Sequence, residues 1–429
     1  MRLLVQALGL ALPLLATANE VAAIPIRAAV VWQDTVPPLD SAGDGQANHL
    51  LADGGRVFVS GFLDAMTGSV ALFRAYDART GTLRWQDTIA DAQASYEGGR
   101  IALADDRLFA VVSTTRPIVA TGLDWVVRAY DAVTGEVLWQ DDHDEGRVDE
   151  AGDVAVADGR VLVAGVITGP GGSESFAVRA YDPASGELLW QHQEPEHGND
   201  VARSVLGADG RVFVGGSAST HWLVQALDAS SGAPQWSDAS TEEEAFGAVA
   251  TVADVATAGS RVFAAGTIAG HGVIRAYDAA TGTLLWERRE LAAEGDGLAL
   301  VVSGARVYAG SRLRNRMLLQ ALDARTGEVV WQRPDDEVGS RLDLVGSMLV
   351  AAGGASSPAV NAYDTRNGAL RWVQRVADEG SCLALAHDRA LVFAAGTTKG
   401  DSFQVRAFTE QFTRRPVEPG RHLPHSSRD

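Results

Sequence analysis

Side chains able to do chemistry are unevenly spread along the 429-residue chain. The densest group is acidic: Asp141, Asp142, Asp144 and Glu145, followed closely by Asp149 and Glu150, with a second run at Glu242, Glu243 and Glu244. Oxygen ligands this close together suit a hard cation such as calcium, but the first group lacks the Asp-x-Asp-x-Asp-Gly order of a calcium loop, and no metal site is expected. What such carboxylates offer instead is charge, a docking surface for a basic protein or peptide segment. His192 and His197 stand on either side of Glu194 and Glu196, five residues apart on a loop, and read as exposed histidines. Cys382 is the single cysteine, which excludes an intrachain disulfide, a four-thiolate zinc site and a paired-cysteine redox centre. No Gly-x-Ser-x-Gly elbow, phosphate-binding loop or His-Glu-x-x-His helix occurs, so no catalytic residue is expected.

Composition narrows the class of partner. There are 55 Asp and Glu against 36 Lys and Arg, a formal net charge of −19. That balance opposes sequence-independent nucleic-acid binding, which relies on clustered cations displacing counterions from phosphates. Residues 1–23 read as a secretory signal peptide: Arg2, an apolar run from Leu3 to Ala16, then small residues suited to cleavage. The expected location is therefore the periplasm or the exterior. The run, about 14 residues, is too short for a membrane span, and no cysteine follows it to carry a lipid, so neither a span nor an anchor is expected.

These residues are positioned by a repeat. Arg74-Ala75-Tyr76-Asp77 leads through Gly81 to Trp85, and the same Asp, Gly and Trp return at Asp131, Gly135 and Trp139, at Asp182, Gly186 and Trp190, and at Asp228, Gly232 and Trp236. Three further copies run from Asp278 to Trp286, Asp323 to Trp331 and Asp364 to Trp372, always with Gly four residues and Trp eight residues after the Asp. A strand ending on Asp, a turn closed by a Gly at positive φ and a returning strand make a β-hairpin. Another hairpin precedes each copy, such as Asp153–Ala157 and Arg160–Ala164 joined through Asp158 and Gly159. Each unit is thus four antiparallel strands, A to D, and units of this length repeated in series make a β-propeller. Trp32 lies on a D-like strand with no hairpin before it, while Phe403–Phe408 is a C-like strand with no Trp strand after it. The two ends complete one another. The expectation is all-β: an eight-bladed propeller over residues 24–408, closed by the N-terminal strand joining the last blade, with a flexible tail at 409–429.

The recurring Ala-Tyr-Asp-x-x-Thr-Gly-x-x-x-Trp resembles the tryptophan-docking repeat of the pyrroloquinoline quinone (PQQ)-like propellers. The resemblance implies that Trp32, Trp85, Trp139, Trp190, Trp236, Trp286, Trp331 and Trp372 are structural and dock between neighbouring blades. One branch of that family comprises quinoprotein dehydrogenases, in which adjacent cysteines cover the quinone and Glu, Asn and Asp bind calcium. This chain has no cysteine pair. The other branch, resembling the periplasmic propeller of the outer-membrane assembly machinery (BamB), is a non-catalytic scaffold, and the chain is closer to it. The implied function is an exported scaffold for protein or peptide partners in envelope assembly, with no cofactor. The alternative is a PQQ-dependent oxidoreductase of alcohols or sugars, with PQQ and calcium.

In such a ring the loops from D to the next A open on one face. Segments 33–50, 86–100, 140–153, 191–205, 237–252, 287–297, 332–345 and 373–384 hold 30 acidic and 8 basic residues, a net −22 against +3 for the rest of the chain. The whole negative excess is therefore expected on that face, where Tyr96 and Phe246 are expected to pack under loops, with a role as aromatic anchors the alternative. Repeated arginines read as blade-to-blade or strand-to-strand pairs: Arg56, Arg107, Arg160, Arg211, Arg261, Arg306 and Arg389 opening strand B, and Arg74, Arg128, Arg179, Arg275 and Arg406 in strand C.

Overall fold

In the computed structural model the only regular elements among the described residues are strands; the description covers residues 28–410 except 67, 91–94, 116–122, 144–148, 170, 196–199, 220, 240–249, 290–297, 314–315, 336–340, 354–358 and 376–379. Thirty-two strands form eight separate four-stranded antiparallel sheets. Seven sheets take consecutive strands in order, as in Glu150–Ala157, Arg160–Thr168, Glu174–Tyr181 and Leu188–Gln193 of the third blade. The eighth sheet joins strands Ser381–Asp388, Leu391–Thr397 and Phe403–Glu410 to the N-terminal strand Ala28–Val36, with Trp32 paired to Ala407. The first and last described strands thus close the ring, as the split copy of the repeat requires. The A strands touch one another in sequence around the circle and back to the first, so they are the innermost layer.

Burial follows from this layering. Strands B and C lie between neighbouring blades and are nearly continuous apolar runs, such as Arg160–Thr168, where every residue after Arg160 is buried. The D strands are outer edges and alternate in exposure, with Trp85 buried between exposed Arg84 and Gln86. Alanines and glycines recur in strands B and C because adjacent blades approach closely there: a Cβ on Gly215 would stand 2.5 Å from Val252 Cγ1 of the next blade. Hydrophobic clusters accordingly cross blade boundaries, Phe58 and Phe73 of the first blade packing with Leu108, Val126 and Tyr130 of the second.

The A–B turns take the left-handed backbone that the Asp-Gly pairs predict, with φ of 50° at Asp158 and 69° at Gly159. Arg389 departs from its expected position. It sits in the A–B turn of the last blade at φ 55°, and Leu391 opens strand B. The spacing that aligned Arg389 with the other arginines came from a sequence two residues out of register.

Candidate functional site

The repeat residues meet at the boundaries between blades. Seven of the eight D-strand indoles, all but Trp372, lie against the motif Gly of the following blade; a Cβ on Gly135 would fall 2.6 Å from Trp85 Cδ2, and Gly81 and Gly186 stand in the same relation to Trp32 and Trp139. The indole Nε1–H donates to the carbonyl one residue past the next motif Asp: Trp85 to Ala132 (3.1 Å), Trp190 to Ala229 (3.0 Å), Trp331 to Thr365 (2.9 Å). The Asp builds the turn that presents this carbonyl. Oδ1 of Asp131 accepts from Val133 N, Thr134 N and Thr134 Oγ1, and the Thr134 bonds hold its carboxyl below the usual range. Gly is needed twice over, for its φ of 77° at position 135 and for the absent Cβ that leaves room for the ring.

A second contact joins the same blades closer to the D–A face. Asp87, two residues after Trp85, pairs with Arg128 of the next blade at 2.8 Å and accepts from Tyr130 Oη at 3.0 Å. Asp34 with Arg74 and Tyr76, and Asp238 with Arg275 and Tyr277, repeat the arrangement. Burial raises each of these phenols far above its ordinary pKa, so they remain donors. Between the third and fourth blades His192, Glu194 and Gln225 replace the trio, Glu194 accepting from Gln225 Nε2 at 2.5 Å and lying 3.1 Å from His192 Nε2. Sequence reasoning placed the arginines in pairs but missed their carboxylates. The readable signal was the spacing Trp-x-Asp in step with Arg-x-Tyr one repeat later.

These contacts redraw the acidic group. Asp141 is the Trp-x-Asp carboxylate of the second blade and pairs with Arg179 at 3.1 Å. Asp149 is fully buried, its Oδ1 accepting from Thr168 N at 2.9 Å, so it ties the end of a D–A loop to strand B and faces no solvent. Asp142 and Glu150 are exposed on the D–A side, Asp142 accepting both its bonds from Gln140 Nε2. Asp144, Glu145, Glu242, Glu243 and Glu244 lie outside the described residues, as do His197 and the side chains of Tyr96 and Phe246. Trp125 and Trp222, outside the motif, are fully buried between blades.

The ring axis carries a different set. After a bulge in each of several A strands, one side chain accepts from the backbone of the next A strand: His49 from Ile101 N, Asp153 from Val205 N (3.0 Å), Ser204 from Val255 N (3.2 Å) and Asp254 from Leu300 N (2.8 Å). Arg100 and Arg341 stand among them, close enough to act on His49 and Asp254 electrostatically. These groups touch water along the channel yet are ringed by protein, and the enclosure dominates: burial, with Arg100 and Arg341, pushes His49 down to about 3, and burial lifts Asp254 to about 6 against the bond from Leu300 and with help from Asp153. Towards the A–B turns the channel widens beside blades one to three into a cavity of about 600 Å³ lined by His49, Asp53, Arg56, Asp105, Asp106 and Asp153 among others. The quinone-and-calcium site of the dehydrogenase branch does not fit these residues. Asp153 is engaged by Val205 N and Asp106 by Arg56, no Phe, Tyr or Trp lines the cavity, and the sequence has no cysteine pair. Among the described residues no group of three or more His, Cys, Asp and Glu is placed to hold a metal ion.

Fold and blade-to-blade docking together define a tryptophan-docked eight-bladed β-propeller. The sequence family described as outer membrane protein assembly factor BamB matches residues 123–271 and 270–409, and the chain belongs to that family. Among solved structures, BamB from Moraxella catarrhalis is 18% identical with a TM-score of 0.58, covering 93% of this chain and 99% of that one. Quinohemoprotein alcohol dehydrogenase from Comamonas testosteroni is 14% identical with a TM-score of 0.65, covering 94% of this chain and 79% of its own. A europium-containing methanol dehydrogenase is 12% identical, with a TM-score of 0.61 and coverage of 89% and 93%. At these identities the likeness is one of fold. No curated protein matches the chain in sequence.

Proposed function

We propose that this protein is an exported, non-catalytic propeller scaffold that binds protein or peptide partners in cell-envelope assembly, using the face formed by its D–A loops. The observation that carries the reading is membership of the BamB family over residues 123–409. The charge distribution supports a basic partner: the D–A segments hold a net −22, of which Asp34, Asp87, Asp141 and Asp238 are offset by C-strand arginines and Asp149 is buried, while Asp142 and Glu150 are exposed on that side. Asp144, Glu145 and Glu242 to Glu244 extend the proposed surface, whereas Asp141 and Asp149 support it from beneath through Arg179 and Thr168.

The channel supports the non-catalytic side of the proposal, because its charged groups are engaged with one another and with backbone amides. The test is to add PQQ and calcium to the purified protein. No saturable change in melting temperature and no dye reduction with alcohols or aldose sugars is expected; a saturable rise together with dye reduction would establish the oxidoreductase instead.

A further inference from the structure

The residues that follow the A-strand bulges form one layer across the ring axis. His49, Arg100, Asp153, Ser204 and Asp254 each stand four residues before the pair that closes their A–B turn, as Asp153 stands before Ala157, which pairs with Arg160. Arg341 and Ala384 hold the same place in the seventh and eighth blades, counted back from Val345 and Asp388. Charge is divided around this layer. The seventh, eighth, first and second blades present Arg341, Ala384, His49 and Arg100 in turn, whereas both carboxylates, Asp153 and Asp254, belong to the third and fifth.

Most members of the layer are tied to the neighbouring strand. Asp153 and Asp254 accept from Val205 N and Leu300 N, and Arg341 donates from Nε to Leu383 O at 2.5 Å, which fixes it against the eighth blade. Arg100 is not tied in this way. Its guanidinium has five donors, and among the described residues it makes no hydrogen bond and no ion pair, although Asp153 and Asp254 feel its charge. A half-buried guanidinium with its donors unused is costly. The two arginines also work against each other: burial, and then the charge of Arg100, lowers Arg341 from the ordinary arginine value. Between them His49 stays neutral and Ala384 offers only a methyl group. Among the described residues this arc of the layer thus holds two positive charges and no negative one.

We propose that the channel binds a small oxyanion, a carboxylate or a phosphate, on the ring axis between Arg100 and Arg341, beside His49 and Ala384. The planar N–H edge of a guanidinium matches the paired oxygens of either group, and the free donors of Arg100 supply the fork. Enclosure by the A strands weakens screening by water, which strengthens the contact and admits only a small ion. With His49 neutral, Asp153 and Asp254 balance the two arginines, so recognition comes from where the charges stand and not from a net excess. The site lies on the axis and is independent of any protein partner at the D–A face.

Calorimetric titration of the full chain with inorganic phosphate and, separately, with succinate tests this at neutral pH and fixed ionic strength, with chloride as the control. One equivalent of phosphate or succinate is expected to bind saturably and chloride to give only heat of dilution; the tighter of the two anions tells the phosphate source from the carboxylate. Arg100→Gln should weaken binding about ten- to a hundredfold, as loss of a charge-assisted hydrogen bond does, and Arg100→Lys should weaken it less, because the charge remains without the fork. In spectra of wild type labelled with ¹⁵N-arginine, the Nε signal that is absent from Arg100→Lys should shift as the anion is added, a readout that stands even where Arg100→Gln does not fold. No saturable heat with either anion would overturn the proposal. So would undiminished affinity in Arg100→Gln, or an Arg100 signal that stays in place while the anion binds.

Discussion

At the residue scale the axial groups make the clearest commitments about pH. His49 stays neutral in the folded ring down to about 3, whereas in the unfolded chain it takes a proton near its ordinary 6.5. Its contribution to stability is present above pH 6.5 and is lost progressively as pH falls towards 3. Asp254 acts with the opposite sign: its folded pKa, about 6, lies above the ordinary 3.8, so the ionised form is penalised and relative stability is gained as pH falls through that window. Asp254→Asn keeps an oxygen for Leu300 N and removes the charge. It is expected to raise unfolding free energy at pH 8 by on the order of 1–2 kcal/mol and to have little effect at pH 4, measured by urea denaturation. His49→Asn should flatten the decline in stability between pH 6.5 and 4. At the blade boundaries Asp87→Ala leaves Arg128, 15% exposed, without its carboxylate and is expected to cost about 2–3 kcal/mol, with much of the loss recovered when Arg128→Met is added. Little of this residue chemistry was legible in the sequence. Asp141 and Asp149 read as parts of one acidic cluster because spacing along a loop says nothing of burial, and His49, Asp153 and Asp254 carry no local motif. They converge only because eight A strands meet around an axis.

The hairpin is where sequence and structure agree most closely. Asp and Gly four residues apart fix the C–D turn by local hydrogen bonding and backbone sterics, and those forces need no tertiary context. The Trp four residues further on was readable as a structural position, but its partner was not, since the indole of one repeat serves the glycine of the next. That distinction has a measurable form. Gly159→Ala, at φ 69° with nothing within 4 Å of the added Cβ, should cost about 1 kcal/mol from backbone strain alone. Gly135→Ala, at φ 77°, adds a Cβ at 2.6 Å from Trp85 and should cost about 2–4 kcal/mol. Chemical denaturation with Trp85 fluorescence reports both, and equal losses would mean that the indole does not rest on the glycine. The A–B turn at Asp105 and Asp106 makes the converse point. Both take positive φ without a glycine, and Arg56 of the neighbouring blade secures Asp106 at 2.5 Å. Turn propensity alone could not foresee a turn stabilised by the preceding blade.

For the whole molecule, eight copies of one unit were countable because the periodicity is carried by rigidly spaced residues, and ring closure followed from two incomplete ends that fit together. What repetition cannot reveal is asymmetry. An Asp–Arg pair holds the boundaries before the first, second, third and fifth blades, joined by a Tyr hydroxyl at all of them but the third, while Gln225, Gln320 and Asn361 stand in the arginine's place before the fourth, sixth and seventh. Differences of this kind distinguish one side of the ring from the other and give a partner an orientation to recognise. The loops that would meet that partner vary most from blade to blade, and their chemistry is charge spread over a surface, which carries no spacing rule. The account's central claim, a scaffold that engages its partner through the acidic D–A face, is tested most directly by quantitative capture from cell-envelope extract at physiological salt. Wild type is compared with a variant in which Asp142, Glu150, Glu242, Glu243 and Glu244 are changed to Lys. The account predicts a partner bound reproducibly by the wild type and lost from the variant, at closely similar melting temperatures. The same partner retained in full by the variant would contradict it.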